Sequence, residues 1–465
     1  MPCYHLEPQD LLFLRDARPI TETFGGRGAH WPLPTTLCNA LHAALHRLFL
    51  VSKENFHAHP LKSSTISSTP GQRSQYFGAL QTFGPFPFWD GKWFFPAPKD
   101  VGTQASGSHA GYEVSLFPMS SSSTIGRNNL PQPLSYPLGA KTPPGKKELN
   151  PWWSKEAWEA YLRGERVSQE RHTVPSDVLY TEEWITGIGI SPETLTTGTG
   201  EAEGRIYSTQ YLRLKDGVSL AFDTSLQEQG EEKLSHLLDG HPILFGGQGK
   251  VCFARRLPQK EGQGLEVYLP LSAPIKDHRV KWVLLSPAVF PKNAPTKKHP
   301  DLTPHPGGWL PSWVDPQDGK VLLRPRLPRG SEEDRAAYRE RIRKTQPVQA
   351  RLVAACIPKP LIISSWENRL HLPQKSPGPS ATLLAVPPGS VYYFEAESSE
   401  EAQKLANLLS WHGSKEKGIK QIENRRSALM GEKGFGIGVC GPWEFFEEKE
   451  TKGPEGARNY ERGKT

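Results

Sequence analysis

The amino-acid sequence predicts an α+β protein made of two ferredoxin-like (βαββαβ, RRM-like) domains, with a long loop-rich insertion in the first. Two observations carry this. Strand and helix signals follow the order β, α, β, β, α, β once an irregular stretch is set aside. Both halves also finish alike, with a helix, a Gly/Lys loop and a strand: Gly246 to Ala254 in the first, Gly431 to Cys440 in the second. At 465 residues the chain exceeds the usual size of one hydrophobic core, which fits two units, 1–260 and 261–446.

In the first half, Leu11-Leu12-Phe13-Leu14 is an apolar strand signal, followed by the glycine loop Phe24 to Gly28. Leu37, Leu41, Ala44, Leu45 and Leu48 then recur at helical spacing, with Thr35 or Thr36 as N-cap. From 51 to 200 the helical period fades and Pro, Ser and Gly rise, so this span is read as the insertion. Within it, Asp90-Gly91 predicts a type I′ hairpin turn and Trp152 to Arg163 a short helix. Arg205 to Leu214 and Val218 to Phe222 are strands around the turn Lys215-Asp216-Gly217. Glu231 to Leu238 is a helix, and Val251 to Ala254 the closing strand.

The second half repeats the order. Trp282 to Leu285 is a strand, 286–330 a Pro-rich loop, Ser331 to Lys344 a charged helix and Ala350 to Ile357 a strand. Val391 to Phe394 is the next strand. Ser398-x-x-Glu401 is a capping box for a helix whose apolar face is Ala402, Leu405, Ala406 and Leu409. The loop Gly431 to Gly438 leads into the last strand, and 447–465, nearly devoid of apolar residues, read as a disordered tail.

Composition narrows the function classes. Lys and Arg number 56 against 49 for Asp and Glu, a net charge of +7 that suits a polyanion without proving one. The five cysteines (Cys3, Cys38, Cys252, Cys356, Cys440) lie far apart without a CxxC pair, which predicts reduced thiols in a cytoplasmic protein. No run of 18 apolar residues occurs, so no membrane partner is expected.

The glycine loops set the candidate sites. Closely spaced glycines let backbone N–H groups approach a phosphate, with a flanking cation adding charge. Gly246, Gly247 and Lys250 form one such set, and Lys433, Gly434 and Gly436 the other. The second loop is expected to present bare backbone, so that valine at Gly434 and Gly436 would spoil RNA capture and spare the fold. Glycines before an edge strand also make bulges or close turns. Neither loop has the spacing of a P-loop or a dinucleotide fingerprint, so no cofactor is expected. Arg15, Arg18, Arg27 and His30, with Phe13, Phe24 and Trp31 nearby, suit phosphate contact and base stacking, as does Arg425-Arg426 before the last loop. The alternative is a solvated charged face. His42 and His46 stand at i, i+4 but lack a carboxylate to complete a metal site. No Ser-His-Asp or Cys-His pattern stands out, and an enzyme is not expected.

Several segments resemble a known family. Leu6-Glu7-Pro8 with Arg15-Asp16-Ala17-Arg18-Pro19 and Pro34-Thr35-Thr36-Leu37 resembles the N-terminal signature of the third Cmr subunit of type III-B CRISPR systems, a RAMP-superfamily protein. So do Pro85-Phe86 with Phe95-Pro96-Ala97-Pro98-Lys99-Asp100, Glu203 to Leu214, Gly246 to Lys250, Val386 to Phe394 and Gly434 to Gly438, in family order from about 6 to 443. The resemblance implies a non-catalytic subunit that caps the 5′ repeat-derived tag of the guide (CRISPR) RNA. It would contact the large polymerase-like Cmr subunit and the backbone Cmr subunits, with target RNA nearby. Arg15, Arg18 and the loop to His30 would then face RNA, backed by both glycine loops. One departure is Lys250, where the family pattern has arginine, since lysine lacks the bidentate fork. The alternatives are a RAMP-superfamily endoribonuclease that processes guide RNA precursors through a histidine base, and a scaffold that touches only proteins.

Overall fold

A computed structural model describes residues 3–15, 28–49, 80–103, 113–120, 129–143, 145–146, 148–191, 194–197, 206–226, 234–257, 264–295, 303–325, 333–364, 366–367, 378–379, 381–414, 419 and 421–446. It is a mixed α/β protein with antiparallel sheets. The large sheet has the order β12 (Pro242–Leu244), β13 (Val251–Arg256), β1 (Tyr4–Pro8), β11 (Ser219–Ser225), β2 (Gln81–Trp89), β3 (Lys92–Pro96), β7 (Trp152–Ser154), β8 (Thr173–Val174). A second sheet has the order β15 (Ala350–Cys356), β20 (Val391–Ala396), β14 (Arg279–Leu284), β21 (Gly438–Gly441). Smaller pairings are β4 (Val101–Thr103) with β5 (Glu113–Pro118) and β6 (Leu138–Ala140), and β16 (Leu361–Ile363) with β19 (Leu383–Ala385). A long ribbon of β9 (Tyr180–Ile188) and β10 (Ile206–Leu214) stands apart from both large sheets.

Side-chain alternation arranges the layers. On β14, Val280, Trp282 and Leu284 pack with the helix α4 (Ser399–Leu409) through its buried Ala402, Leu405, Ala406 and Leu409. The residues between them, Val283 above all, face the first half, in one core with Phe83, Phe86, Trp93, Phe95, Val353, Tyr393 and Val439. On β11, Leu220 and Phe222 pack with helix α1 (Pro34–Phe49) through Leu37, Leu41, Ala44 and Leu45. The two halves therefore share one continuous apolar seam between their sheets, with the two helices outside. No helix among the described residues is long and apolar enough to cross a membrane.

The second half matches the sequence reading closely. The Ser398 side chain accepts a hydrogen bond from the Glu401 amide at 3.2 Å, one half of the capping box, while the Glu401 carboxylate accepts instead from the Gln349 amide at 2.8 Å. Ser398→Ala should lower stability by about 1 kcal/mol in urea unfolding, with an unchanged m-value.

The first half departs from it. Its first strand is Tyr4–Pro8, not Leu11–Leu14, which makes only a bridge of Leu12 to Leu212. The span 51–200 is not wholly insertion, since it gives β2, β3, β7 and β8 to the large sheet. The hairpin turn at Asp90-Gly91 joins β2 to β3 as predicted, but Gly84, Pro85 and Pro87 break the alternation of β2 and conceal its place in the large sheet. The predicted strand 205–214 instead belongs to the ribbon, paired along its length with β9. The tail 447–465 lies outside the described residues.

Candidate nucleic-acid interface

Where the two halves meet, a cleft of about 700 Å³ opens. One wall is Arg15 and Gly28 to Pro34, with Pro85, Phe86 and Trp152. The ribbon adds Glu182, Trp184 and Gln210, and the second half supplies Leu285 to Pro287, Pro360 to Ile362 and Pro387 to Pro388.

Backbone close approach builds the first wall. Leu12 and Leu212 exchange hydrogen bonds at 2.8 and 2.9 Å, and the Ala29 amide donates to the Leu14 carbonyl at 2.8 Å. The Gly28 amide donates to Gln210 Oε1 at 3.0 Å. A Cβ on Gly28 would stand 3.0 Å from the Gln210 carbonyl oxygen, so glycine suits this crossing. Trp31 is anchored by its indole N–H to the Pro85 carbonyl at 2.8 Å and packs edge-on against Trp152 at 5.1 Å. His30 is exposed and its Nδ1 is paired with the Glu182 carboxylate.

Among the described residues, two cations address the cleft. The Arg15 side chain is exposed and has no hydrogen-bond or ion-pair partner among the described residues. Lys99 also lines the cleft without an ion-pair partner there. Although exposed to the cleft, its ammonium is desolvated by the surrounding protein, which lowers its pKa from the ordinary lysine value. A phosphate oxygen beside it would offset that desolvation. Trp184, 53 % exposed on the ribbon, offers a free aromatic face at the rim. Cations, stacking surface and an apolar floor in one concavity suit a single-stranded polyanion.

Arg15 and His30 thus reach this site, whereas Arg18 and Arg27 lie outside the described residues. The first glycine loop sits next to it. Gly247 to Lys250 is a hairpin turn between β12 and β13, with the Lys250 amide donating to the Gly247 carbonyl at 3.3 Å and positive φ at Gln248 (56°) and Gly249 (64°). Gly246 and Gly247 are needed for another reason than phosphate approach: a Cβ on either would strike Phe13. Lys250 lies 3.9 Å from Asp10 and over the Tyr211 ring at 5.4 Å, so its charge is already engaged.

The other basic pair and the last loop have different surroundings from those expected. Arg425 donates from Nη1 to the Thr82 carbonyl at 2.7 Å and the Gly431 carbonyl at 3.0 Å, and burial lowers its pKa to about 10. Arg426 donates to the Leu408 carbonyl at 2.6 Å and Asn424 Oδ1 at 3.0 Å. Both guanidiniums satisfy protein carbonyls instead of facing a ligand. Gly434 and Gly436 are buried: Cβ atoms there would meet the Thr82 carbonyl oxygen at 2.9 Å and the Arg426 carbonyl carbon at 2.7 Å. The loop supports the cleft floor from behind, with the Gly436 amide donating to Pro287 at 2.7 Å and the Leu285 amide to Ile437 at 2.9 Å. Lys433 donates to Asn39 on α1 at 3.2 Å. His42, buried, belongs to the core side of α1.

Near Arg425, Asp223 points into the seam, and burial pushes its carboxyl up from 3.8 to about 6 against the pull of Arg425. A carboxyl whose folded pKa is raised keeps its proton longer in the folded state, so stability falls as pH rises between about 4 and about 6. Asp223→Asn should abolish that slope and stabilise the chain at pH 8 by on the order of 3 kcal/mol. Parallel pH–stability curves for the two proteins would contradict this.

Sequence reasoning missed Lys99, Glu182, Trp184 and Gln210 as site residues. Lys99 stands in the segment Phe95 to Asp100, next to prolines and with no local charge cluster to mark it. The ribbon residues arrive by tertiary folding alone.

Comparison with known families finds that the model described as CRISPR-associated protein (Cas_Cmr3) matches residues 4–443. No curated protein matches. Among solved structures, a chain in the cryo-EM structure of the type III-B Cmr-beta bound to cognate target RNA and AMPPnP is 12 % identical, covering 84 % of this chain and 86 % of that one, with a TM-score of 0.40. A chain in the crystal structure of the Csm3-Csm4 subcomplex of the type III-A interference complex is 9 % identical, covering 86 % and 93 %, with a TM-score of 0.33.

Proposed function

The chain belongs to the Cas_Cmr3 family of CRISPR-associated proteins, and from that premise we propose that it is a non-catalytic, RNA-binding subunit of a type III-B complex that holds the 5′ repeat-derived tag of the guide RNA in the cleft between its halves. The observation that carries this reading is the meeting of Arg15, Lys99 and exposed Trp184 around that one concavity. The partners are the guide RNA, the large polymerase-like Cmr subunit and the backbone Cmr subunits, with target RNA close by. Each half is ferredoxin-like in this reading. The order β15-β20-β14-β21, with the helix Arg335–Lys344 after β14 and α4 after β20, supports that for the second, and β2-β11-β1-β13 for the first.

The test is filter binding of the purified chain to guide RNA with its 5′ tag and to the spacer segment alone. The tagged RNA should bind more tightly, and both affinities should fall steeply with salt. Arg15→Ala and Lys99→Ala should each make the log–log salt slope shallower by about 0.7, the amount for one phosphate contact on a single strand. Equal binding of both fragments across the salt series would overturn 5′-end capture.

The exposed His30–Glu182 pair favours one second reading, an endoribonuclease with His30 as base held by the carboxylate. Under the proposal, repeat RNA stays intact with the protein in EDTA or in Mg²⁺. Cleavage abolished by His30→Ala would establish the second reading.

A further inference from the structure

We infer that the side-chain amide of Gln210 reads one base of the bound RNA, taking guanine, a purine with a keto oxygen, in preference to adenine. The inference rests on the RNA reading above and adds to it a specificity-determining residue. The register of the ribbon sets Gln210 directly across from Trp184, so the two side chains leave the same face, and both line the cleft.

Gln210 is 4 % exposed and is held in one orientation. Its Oε1 accepts from the Gly28 amide at 3.0 Å. A backbone amide only donates, so the atom it meets is the oxygen, and the NH2 of Gln210 takes the other side. Nε2 has no hydrogen-bond acceptor among the described residues. A buried amide donor without an acceptor is costly, and an acceptor on a ligand in the cleft offsets that cost.

The indole and the amide have separate tasks. Stacking on the exposed face of Trp184 holds a base of any kind, because every base has a π-face. The edge of that base then comes to the cross-strand neighbour, whose Cβ stands about 5 Å from that of Trp184. Guanine presents N7 and O6 on one edge, two acceptors, whereas adenine presents N7 and an amino group, which is a donor. The Gln210 NH2 matches the first edge and opposes the amino group of the second. Among the described residues the one acidic side chain lining the cleft, Glu182, is engaged by His30, so the amide and not a carboxylate is the reading group. A phosphate oxygen would also accept from Nε2. Arg15 and Lys99 serve the phosphates, however, and a base stacked on Trp184 brings its edge to Gln210.

The experiment is filter binding of the full chain to guide RNA with its 5′ tag, each purine of the tag made in turn guanosine, inosine or adenosine. At one position guanosine and inosine should bind alike and roughly tenfold more tightly than adenosine, because both carry O6 and N7. Gln210→Glu keeps the oxygen that the Gly28 amide needs and replaces the donor with an acceptor, so the preference should vanish or turn to adenosine. Gln210→Met, of similar length and without a donor, should lose it as well, and it serves where the buried carboxylate unsettles the fold. Circular dichroism melting checks both variants. A parent with no such position, or folded variants that keep the preference, would overturn the role of Gln210 and leave RNA capture standing. A parent that binds no tagged guide would overturn the RNA reading, and this inference with it.

Discussion

Gly436→Val should unfold the protein, not merely weaken RNA capture. Gly436 has φ 72°, which valine adopts only under strain, and its Cβ would overlap the Ser427 amide and stand 2.7 Å from the Arg426 carbonyl carbon. These neighbours are backbone and cannot swing aside. Moving the loop would also break the bonds from the Arg426 amide to Gly436 at 2.6 Å and from the Gly436 amide to Pro287 at 2.7 Å. Together, strain and lost bonds should cost about 4 kcal/mol or more, a large part of the roughly 5–15 kcal/mol that holds a domain folded. Gly249→Ala is the control. Its φ is also positive, at 64°, but a Cβ there meets nothing within 4 Å, so the cost should stay near 1 kcal/mol. Circular dichroism melting of both variants decides the matter. A Gly436→Val protein that melts normally yet fails to bind RNA would restore the loop to the role of a phosphate cradle.

Asp100→Ala should be nearly as damaging, for an electrostatic reason. Asp100 is 1 % exposed and accepts from the Tyr161 hydroxyl with both oxygens at 2.8 Å and from the Tyr393 hydroxyl at 2.8 Å. The buried Lys281 ammonium lies 3.7 Å above the Tyr161 ring. Desolvation lowers the Lys281 pKa, and the Asp100 charge is what counteracts it. Alternation on β14 places Lys281 in the seam, so this cluster ties the halves together. Removing the carboxylate leaves a buried cation without its counter-charge and should cost about 3–5 kcal/mol. Asp100→Asn with Lys281→Met should recover much of that loss, since an apolar replacement of a buried pair is often tolerated. Urea unfolding of the two variants and the parent tests the order. Equal stability of Asp100→Ala and the parent would show that Lys281 finds its charge balance elsewhere.

The second half was legible because local signals and tertiary placement agree there. Val391 to Phe394 alternates between α4 and the seam, and Ser398 caps the helix it announces. The first half has its Asp90-Gly91 hairpin where the sequence puts it, with positive φ at both turn residues. It hides the membership of the first hairpin arm in the large sheet, because Gly84, Pro85 and Pro87 look like loop and only pairing with β11 makes them strand. Its first strand, with His5 and Glu7 among its five residues, was overshadowed by the apolar Leu11 to Leu14, buried without a ladder. In the site, the neighbourhood of Arg15 and His30 was readable, because polar side chains beside a glycine crossing carry a local mark. Arg425 and Arg426 look like phosphate contacts in the sequence, since nothing there tells a solvated guanidinium from one spent on buried carbonyls. Lys99 gave the opposite difficulty. Its desolvation comes from folding around it, with the second half reaching it through the Gly389 carbonyl, which accepts from the Lys99 amide at 2.9 Å.

The proposed capture of the guide in the cleft is tested most directly by photo-crosslinking. Guide RNA carrying 4-thiouridine within its 5′ tag is irradiated with the full chain, and the cross-linked peptides are identified by mass spectrometry. Peptides bearing Trp31, Lys99 and Trp184 are the expected products, and they should vanish when untagged RNA is added in place of the guide. Cross-links confined to the outer faces of α1 or α4, with the cleft peptides unmodified, would contradict the assignment.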